Sequence, residues 1–425
     1  IMSLEKLSRI GVGMYRMCLG NIENQKAFMK ALIKDTDKTK INVIDTSTNY
    51  CDGDSERLIG EVLSSQNKNY LSREELCIAS KFGYIQGENL ALYHNGVFKN
   101  IPNGNIVKYM GNCYHCIHPE FMRDQLNRSL SRLQTKYLDI LFIHNPEYFL
   151  IHNINCSDET KIKDFRKQML ERIGQTFEAM EEVLKLGLIR SYGISSNSFS
   201  LPHDDNHFLP YESLIDIAKG AAKRVRGTEN HGFSAVQMPG NLLEQVGLRT
   251  TAKWAKENGL KVFINRPLNA FNNDGSFRLA SYPKPSYDYI RQTTLSNLET
   301  QTKGDSDGIK TTYKFIIDLV KQLDNKLPDI ENVFDWEFYR QSVNVTLRQF
   351  RGNLTVNSIL QPFLEALDAE VRHRGSQQVR KYLIECQGFD ALAKNENISI
   401  EEFSLEFLLE SGVVDVVLMG MTREV

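Results

Sequence analysis

The chain has 425 residues, a formal net charge of −2 and 41% hydrophobic residues. A charge this close to zero gives no bulk attraction for nucleic acid or for an anionic membrane, and the apolar content is enough for a substantial core. No apolar run approaches the roughly 20 residues of a membrane-spanning helix, and the opening IMSLEKLSRI lacks the features of a secretory signal. We therefore expect a cytoplasmic protein with no nucleic-acid or membrane partner.

Short apolar runs alternate with helix-like stretches along most of the chain. The strand candidates, in chain order, are Ile10 to Met14, Ile41 to Asp45, Leu76 to Lys81, Leu138 to His144, Ile189 to Ser195, Phe233 to Gln237, Lys261 to Arg266 and Val413 to Met419. Continuous apolar strands separated by helices are typical of a parallel sheet that is buried on both faces. Eight of them favour an α/β fold of the closed (β/α)8 TIM-barrel type over an open, doubly wound sheet.

Two insertions interrupt this alternation. Residues 84–118, after the third strand, are rich in Asn, Gly, Tyr and His without a helical or alternating period, and we interpret them as a long ordered loop. Residues 270–399, between the seventh and eighth strands, contain apolar stripes at helical spacing and are predicted to be mostly helical. The predicted domains are thus a barrel from 1–269 and 400–425 and a helical insertion, which could bind a protein partner or a second copy.

Four ionisable side chains fall where predicted strands end. Asp45 and Tyr50 follow the second strand, Lys81 ends the third and His144 ends the fourth. The carboxyl ends of barrel strands face one common mouth, so these residues can converge. A tyrosine is a poor proton donor at neutral pH, and a neighbouring ammonium is expected to lower its pKa, while a carboxylate holds the lysine in place. Histidine can direct a carbonyl oxygen by a hydrogen bond. The set suits carbonyl reduction.

Six segments in order resemble the aldo-keto reductase family. They are INVIDTSTNYCDGDSERLIGEVL, IASKFG, LDILFIHNPE, GLIRSYGISSNSF, AVQMPGNLLE and INRPLNA. The resemblance covers the barrel portion and leaves residues 84–118 and 270–399 without a guide. It implies a barrel oxidoreductase that moves hydride between NADP(H), or NAD as a second possibility, and a small carbonyl or alcohol substrate.

The resemblance also implies roles for individual residues. Tyr50 would be the general acid in reduction, Lys81 and Asp45 would tune it, and His144 would orient the carbonyl. The implied cofactor-binding residues are Ser195, Ser196 and Gln237 for the nicotinamide, Arg266, Pro267 and Leu268 after the seventh strand, and Gly420, Thr422 and Arg423 after the eighth. A guanidinium at Arg423 could pair with a 2′-phosphate, which favours NADP over NAD.

The chain departs from the family pattern at several positions. Asn265 stands where many members stack an aromatic ring on the nicotinamide, and Ser196 stands where many have asparagine. The usual His-Trp pair is His144 and Asn145 here, so the substrate pocket cannot be copied from a relative.

Two local patterns suggest other chemistry. The run Gly11-Val12-Gly13 is half of a dinucleotide fingerprint, but Arg16 occupies the place of the third glycine, so we interpret the run as a tight turn. A cluster of four potential metal ligands comprises Cys113, His115, Cys116 and His118. Structural zinc usually needs a second, separated ligand pair, which is missing, so we predict no metal and assign the cluster to loop packing. His115 or His118 could still reach the substrate mouth. Seven cysteines in a chain this long do not suggest a disulfide scaffold.

Two other functions stay open. A barrel of this type can serve as a nucleotide-responsive interaction protein with little turnover, and the helical insertion would be its docking surface. An unrelated barrel lyase or isomerase could form a Schiff base at Lys81. This alternative leaves the ordered cofactor motifs without an explanation.

Overall fold

The structure is a computed structural model. It describes residues 6–34, 41–65, 67–154, 158–303, 307–330, 332–348, 354–395 and 397–423.

Thirteen strands occur in the described residues. They are β1 (Ile10–Gly13), β2 (Val43–Asp45), β3 (Cys77–Phe82), β4 (Tyr84–Ile85), β5 (Ile106–Met110), β6 (Cys113–Cys116), β7 (Leu138–His144), β8 (Ile189–Ser195), β9 (Phe233–Pro239), β10 (Lys261–Asn265), β11 (Asn269–Asn272), β12 (Gly275–Arg278) and β13 (Val416–Gly420).

Fifteen α-helices accompany these strands in the same ranges. They are α1 (Ile22–Ala31), α2 (Asp54–Ser64), α3 (Glu88–His94), α4 (Pro119–Arg132), α5 (Tyr148–Asn153), α6 (Glu159–Lys185), α7 (Leu214–Arg226), α8 (Val246–Arg249), α9 (Thr251–Glu257), α10 (Tyr287–Thr302), α11 (Asp307–Lys326), α12 (Val333–Leu347), α13 (Leu354–Glu385), α14 (Asp390–Lys394) and α15 (Ile400–Leu409). Within the described ranges, none of these helices combines the length and the apolar character that a membrane span requires.

The first of two compact units contains Ile1–Pro267 and Phe407–Val425, and its centre is a closed parallel barrel. The strand order is β1, β13, β10, β9, β8, β7, β3, β2, and β2 pairs with β1 to close the ring. All eight barrel strands coincide with the eight strand candidates to within three residues at each end. The predicted TIM barrel is therefore confirmed.

Large side chains fill the inside of the barrel. Phe142 and Phe263 belong to one buried apolar cluster, and their rings meet edge to face at 5.8 Å between centroids. A Cβ on Gly193 would lie 2.4 Å from the Ala235 carbonyl oxygen and 2.5 Å from the Phe142 ring, so only glycine fits beside this phenylalanine. Dense packing of this kind makes the barrel a rigid support for the strand ends.

The segment from 84 to 118, which the sequence predicts to be a long ordered loop, contains regular strands and a helix. Strands β4, β6 and β5 form a small antiparallel sheet, and helix α3 lies between β4 and β5 in the chain. The strands have only two to five residues each and β5 buries Val107 alone, so no alternating pattern is visible in the sequence. The two residues between β5 and β6, Gly111 and Asn112, are a hairpin signal that could have revealed the sheet.

The second compact unit, Leu268–Glu406, begins with the β11–β12 hairpin and continues with helices. Helices α10 to α13 bury their own apolar core, in which Trp336, Ile316, Val320 and Phe363 are almost fully inaccessible. The Trp336 indole N–H donates to Asp368 at 2.9 Å. The amphipathic stripes expected in this region therefore form helices, and they pack on each other.

Candidate active site

The ends of β2, β3 and β7 bring Asp45, Lys81 and His144 together at the mouth of the barrel. The three side chains are buried, with 3%, 0% and 8% of their surface exposed. Tyr50 lies in a short 3-10 turn, Tyr50–Gly53, just after β2, and is partly exposed. The four residues converge because parallel barrel strands end at the same face.

Lys81 is the centre of this group. Its Nζ donates to Asp45 Oδ2 at 2.6 Å, to the Thr46 carbonyl at 2.8 Å and to Tyr50 OH at 3.2 Å. The three N–H bonds of an ammonium match these three acceptors, which offsets the loss of hydration on burial. Burial lowers the pKa of Lys81, whereas Asp45 acts in the opposite direction.

The pKa of Tyr50 differs from the expectation of a lowered value. Burial raises it well above its usual value, and the nearby Asp45 carboxylate and Tyr15 raise it further. The Lys81 charge does not reverse this because Asp45 pairs with that charge at 2.6 Å. Tyr50 is therefore a protonated phenol at neutral pH.

His144 presents its imidazole between Ser47 and Tyr50. Ser47 Oγ lies 3.2 Å from His144 Nδ1, and the rings of His144 and Tyr50 are 6.2 Å apart, edge to face. Burial, the Lys81 charge and His115 lower the pKa of His144 well below its usual value, so the ring is neutral. The single hydroxyl proton of Ser47 is donated to Asn49 Oδ1 at 2.7 Å, so Ser47 Oγ accepts from His144 Nδ1 in this arrangement. Rotation of the Ser47 hydroxyl towards Nδ1 would place the one ring proton on Nε2 instead, where it could be donated.

The predicted nicotinamide residues form a continuous chain with the catalytic group. Ser195 Oγ donates to Gln237 Oε1 at 3.1 Å, and Gln237 Nε2 donates to Asp45 Oδ1 at 2.7 Å. Both Asp45 oxygens are therefore occupied, one by Gln237 and one by Lys81. Hydrogen bonds thus link the nicotinamide-side residues to Lys81 through one carboxylate.

Asn265, the last residue of β10, presents a polar atom that is suited to a ligand. Asn265 Oδ1 is a buried acceptor without a donor in the described part of the chain, while its Nδ2 lies 3.4 Å from Gln237 Oε1. A buried acceptor of this kind suits an incoming amide N–H. Arg266 has a left-handed backbone (φ 53°) and pairs with Glu244 at 2.7 Å. Pro267 ends the first unit, and Leu268 begins the second, where its carbonyl accepts from Leu279 N.

The predicted phosphate residues lie at the end of β13. Gly420 is exposed, and Asn24 donates to the Thr422 carbonyl at 2.9 Å. The Arg423 side chain is 82% exposed and its Nε is 3.6 Å from Glu23 Oε2. An exposed pair of this kind is weak, so Arg423 can exchange Glu23 for an anionic ligand.

Ser47 and Glu147 are functional candidates that the sequence did not reveal. The Glu147 carboxylate is 1% exposed and accepts from Ser196 Oγ at 2.8 Å and from Asn197 N at 2.9 Å. Burial raises the pKa of Glu147 to about 7. Glu147 follows three residues after His144, which ends a buried strand. This position near a strand end is the one feature of the sequence that could have indicated a functional role for Glu147.

The turn that carries Tyr50 is held at two points. Cys51 and Asp52 have left-handed backbones, with φ of 47° and 54°. A disulfide joins Cys51 to Cys18, and the Asp52 carboxylate accepts from Glu88 N at 3.0 Å. We did not expect this disulfide. Cys77, Cys113, Cys116 and Cys386 are free thiols, whereas Cys156 lies outside the described residues.

The four cysteine and histidine side chains between 113 and 118 make separate contacts and do not form one site in the structure. His115 is buried against the His144 carbonyl, and His118 accepts from Glu120 N at the start of α4. Cys113 Sγ lies near Gln86, and Cys116 is buried. Throughout the described ranges, no three His, Cys, Asp or Glu side chains are placed to hold a metal ion.

A family model described as "Aldo/keto reductase family" matches residues 9–270 of the chain. The chain belongs to the aldo/keto reductase family. The match contains the catalytic candidates and every proposed cofactor residue up to Leu268, whereas Gly420, Thr422 and Arg423 lie beyond it.

Curated relatives are similar over part of their length. The NAD(P)H-dependent D-xylose reductase of Scheffersomyces stipitis is 28% identical over 183 residues, which are 38% of this chain and 52% of the relative. The NADP-dependent D-sorbitol-6-phosphate dehydrogenase of Malus domestica is 26% identical over 200 residues, 46% of this chain and 50% of the relative. The aldo-keto reductase YhdN of Bacillus subtilis is 25% identical over 259 residues, 60% of this chain and 57% of the relative. The chain spans about half the length of these three relatives.

Solved aldo-keto reductase structures are also similar. The holo form of AKR11C1 from Bacillus halodurans has a TM-score of 0.46 at 16% identity, covering 98% of this chain and 83% of that one. A Klebsiella pneumoniae enzyme in complex with NADP and acetate has a TM-score of 0.35 at 19% identity, covering 62% and 65%.

Proposed function

We propose that the chain is an NADP(H)-dependent oxidoreductase that reduces the carbonyl group of a small aldehyde, ketone or sugar, or oxidises the corresponding alcohol. The observation that carries this proposal is the position of the Lys81 ammonium, 2.6 Å from Asp45 and 3.2 Å from Tyr50 OH. The hydrogen bond from Lys81 Nζ fixes the position of the Tyr50 oxygen and gives a donor to the phenolate that remains after proton transfer.

Tyr50 would donate the proton in reduction. Its raised pKa keeps it protonated at neutral pH, and the alkoxide that forms on a reduced carbonyl is a stronger base than a phenolate. His144, which is neutral, would donate from Nε2 to the carbonyl oxygen and so fix its direction once the Ser47 hydroxyl turns from Asn49 to Nδ1. In the oxidation direction, the Tyr50 phenolate would accept the proton of the alcohol.

The residues at the mouth suit a nicotinamide nucleotide. NADPH, when bound, would supply the hydride to the carbonyl carbon. Asn265 Oδ1 offers a buried acceptor for the carboxamide, beside Ser195 and Gln237, and Glu147 holds Ser196 in place. Arg423 offers a cation for a phosphate, which favours NADP over NAD. The sorbitol-6-phosphate dehydrogenase relative is named NADP-dependent, which supports the same choice, whereas the xylose reductase relative is named NAD(P)H-dependent and leaves both nucleotides open.

The first experiment is a titration of the purified chain with NADPH and, separately, with NADH, followed by nicotinamide fluorescence. We expect saturable binding that is tighter for NADPH, and NADPH oxidation with some members of a panel of aldehydes, ketones and sugars. Failure of both nucleotides to bind would contradict the proposal.

A second candidate function is that of a catalytically weak, nucleotide-binding interaction protein. Large side chains are exposed on the helices of the second unit, with Phe338 at 77% and Tyr289 at 72%, and could bind a protein partner or a second copy. Tight NADPH binding without turnover on any carbonyl of the panel would favour this candidate.

A further inference from the structure

Two side chains of the 84–118 segment, His115 and Tyr84, contact the residues at the end of strand β7, next to the His144 ring. The first is His115, whose Nε2 lies 2.6 Å from the carbonyl oxygen of His144. A carbonyl oxygen only accepts, so His115 Nε2 must carry the proton. His115 is 3% exposed, and burial lowers its pKa to about 4, so the ring is neutral with its one proton on Nε2.

The second contact passes through Asn145, the residue after His144. Asn145 has a φ of 50°, in the left-handed region that residues other than glycine rarely adopt. Its backbone N–H donates to the Ser195 carbonyl at 2.7 Å, and its side-chain Nδ2 donates to Tyr84 OH at 2.7 Å. Tyr84 OH is in turn 2.8 Å from Tyr148 OH, at the start of α5. A hydroxyl of the insertion therefore helps to hold the left-handed turn.

The packing around these contacts is close. The Tyr84 ring meets the His144 ring edge to face, with 4.9 Å between centroids. A Cβ on Gly83 would lie 2.6 Å from both His115 Nε2 and the His144 oxygen, so a glycine is required for the two to approach. The backbone and the ring of His144 are thus both contacted by the insertion.

We propose that the 84–118 segment positions His144 for the reaction, with Tyr84 and His115 as positioning residues that act through the backbone of His144 and Asn145. The proposal rests on the role of His144 in the proposed function. It gives a task to an insertion that matches no motif of the resemblance: the insertion sets the direction of the imidazole from outside the barrel.

The test compares Tyr84→Phe with Tyr93→Phe. The first removes one hydroxyl and keeps the ring beside His144, whereas Tyr93 packs on Tyr114 elsewhere in the same segment and serves as the control. For Tyr84→Phe we expect kcat to fall about tenfold with little change in the KM for NADPH, because a misdirected histidine affects the reacting atoms and not the cofactor. The control should keep the wild-type kcat and KM.

Nitrogen-15 NMR of histidine-labelled protein gives a readout that needs no turnover. The His144 ring signals, assigned with His144→Gln, report its tautomer and its contacts. We expect them to shift or broaden in Tyr84→Phe and to stay in place in Tyr93→Phe. Unchanged His144 signals together with a wild-type kcat in Tyr84→Phe would overturn the proposal. If the wild-type chain reduces no carbonyl, the proposed function fails, and the NMR comparison still decides whether the insertion positions His144.

Asn145→Gly provides a second variant in case Tyr84→Phe does not fold. Glycine adopts a φ of 50° without strain, so the fold should be retained while the hydrogen bond to Tyr84 is lost. We expect the same disturbed His144 signals and a similar fall in kcat. Wild-type signals and kcat in this variant would also overturn the proposal.

Discussion

The interiors of the two units are built from different side chains. The first unit buries Asp45, Lys81, His144 and Glu147 near the barrel mouth, whereas the described part of the second unit buries one carboxylate, Glu370, and no lysine or histidine. Glu56, Asp139 and Glu181 are also buried in the first unit, and each pairs with an arginine. Buried charges and imidazoles weaken a fold unless they find partners, so the group at the barrel mouth, which includes a lysine and a histidine, indicates chemistry. The ionisable groups of the candidate active site therefore lie in the barrel unit, whereas the helical unit is held together by its apolar core.

Removing Trp336 from the apolar core of the second unit should destabilise that unit strongly. Trp336→Ala removes a side chain that is 1% exposed together with its bond to Asp368, and should lower the unfolding free energy by about 3–5 kcal/mol. Denaturant titration with hydrogen exchange should locate the loss in α12 and α13, and turnover at low temperature should stay unchanged. Phe338→Ala, at a position that is 77% exposed, is the control and should have little effect. A matching loss of turnover in Trp336→Ala would break the comparison between the units.

Removing the disulfide tests what stabilises the turn that carries Tyr50 in the first unit. The Cys18–Cys51 disulfide closes a loop with a sequence separation of 33, and its removal should lower stability by about 3–4 kcal/mol on chain-entropy grounds. Thermal unfolding of Cys18→Ser with and without reductant measures this. Cys386→Ser, an exposed free thiol of the second unit, is the control. Equal melting temperatures for the wild-type chain and Cys18→Ser, with and without reductant, would show that the disulfide does not stabilise the fold. Disulfides are rare in reducing compartments, so this bond argues against the predicted cytoplasmic location. The location stays a prediction.

The two units should respond to pH in opposite directions. Burial raises the pKa of Glu147 from 4.5 to about 7, so the folded first unit holds a proton that the unfolded chain releases. The stability from this group is complete below pH 4.5 and is lost as the pH rises through 7, by about 3 kcal/mol at most. Glu147→Gln should abolish that loss.

Asp368 provides the contrast in the second unit. Burial acts to raise its pKa, but hydrogen bonds from Arg372 and Trp336 and the charges of Arg372 and Arg340 lower it overall. Its stabilising contribution is therefore present at neutral pH and is lost as the pH falls below the usual value of 3.8. Hydrogen exchange of each unit between pH 3 and pH 8 separates the two trends, and parallel trends in both units would refute the assignment.

The smallest expected effect concerns the exposed end of the proposed cofactor site. Arg423→Ala should raise the KM for NADPH about tenfold and leave that for NADH unchanged, because one charge-assisted bond to a phosphate is lost. Glu23→Ala removes the carboxylate 3.6 Å from Arg423 and should lower the KM for NADPH slightly. Equal effects of Arg423→Ala on both nucleotides would remove Arg423 from cofactor choice.

Much of the barrel could be predicted from the sequence because its signals are local. The strand Leu138–His144 is a largely apolar run, and its predicted bounds, like those of Ile189–Ser195, equal the bounds in the structure. Asp45, Lys81 and His144 could be identified because each stands at the end of such a run. Their convergence then follows from the geometry of any parallel barrel.

The remaining features depend on contacts between distant segments. The sheet at 84–116 consists of strands too short to show a period, and the pairing of Cys18 with Cys51 depends on how two loops meet. The hydrogen bonds that Glu147 accepts from Ser196 and Asn197 cannot be inferred from the spacing of these residues in the sequence. The raised pKa of Tyr50 likewise results from burial and from the nearby Asp45 carboxylate and Tyr15, which only the three-dimensional distances reveal.

The single-turnover rate of Tyr50→Phe with saturating NADPH and a carbonyl substrate measures directly whether Tyr50 donates the proton. Tyr313→Phe, a buried tyrosine in the core of the second unit, is the matched control. Loss of the proton donor should slow Tyr50→Phe about a hundredfold or more while NADPH binding is retained, and Tyr313→Phe should keep the wild-type rate. A wild-type rate in Tyr50→Phe would show that the proton comes from elsewhere and would contradict the account.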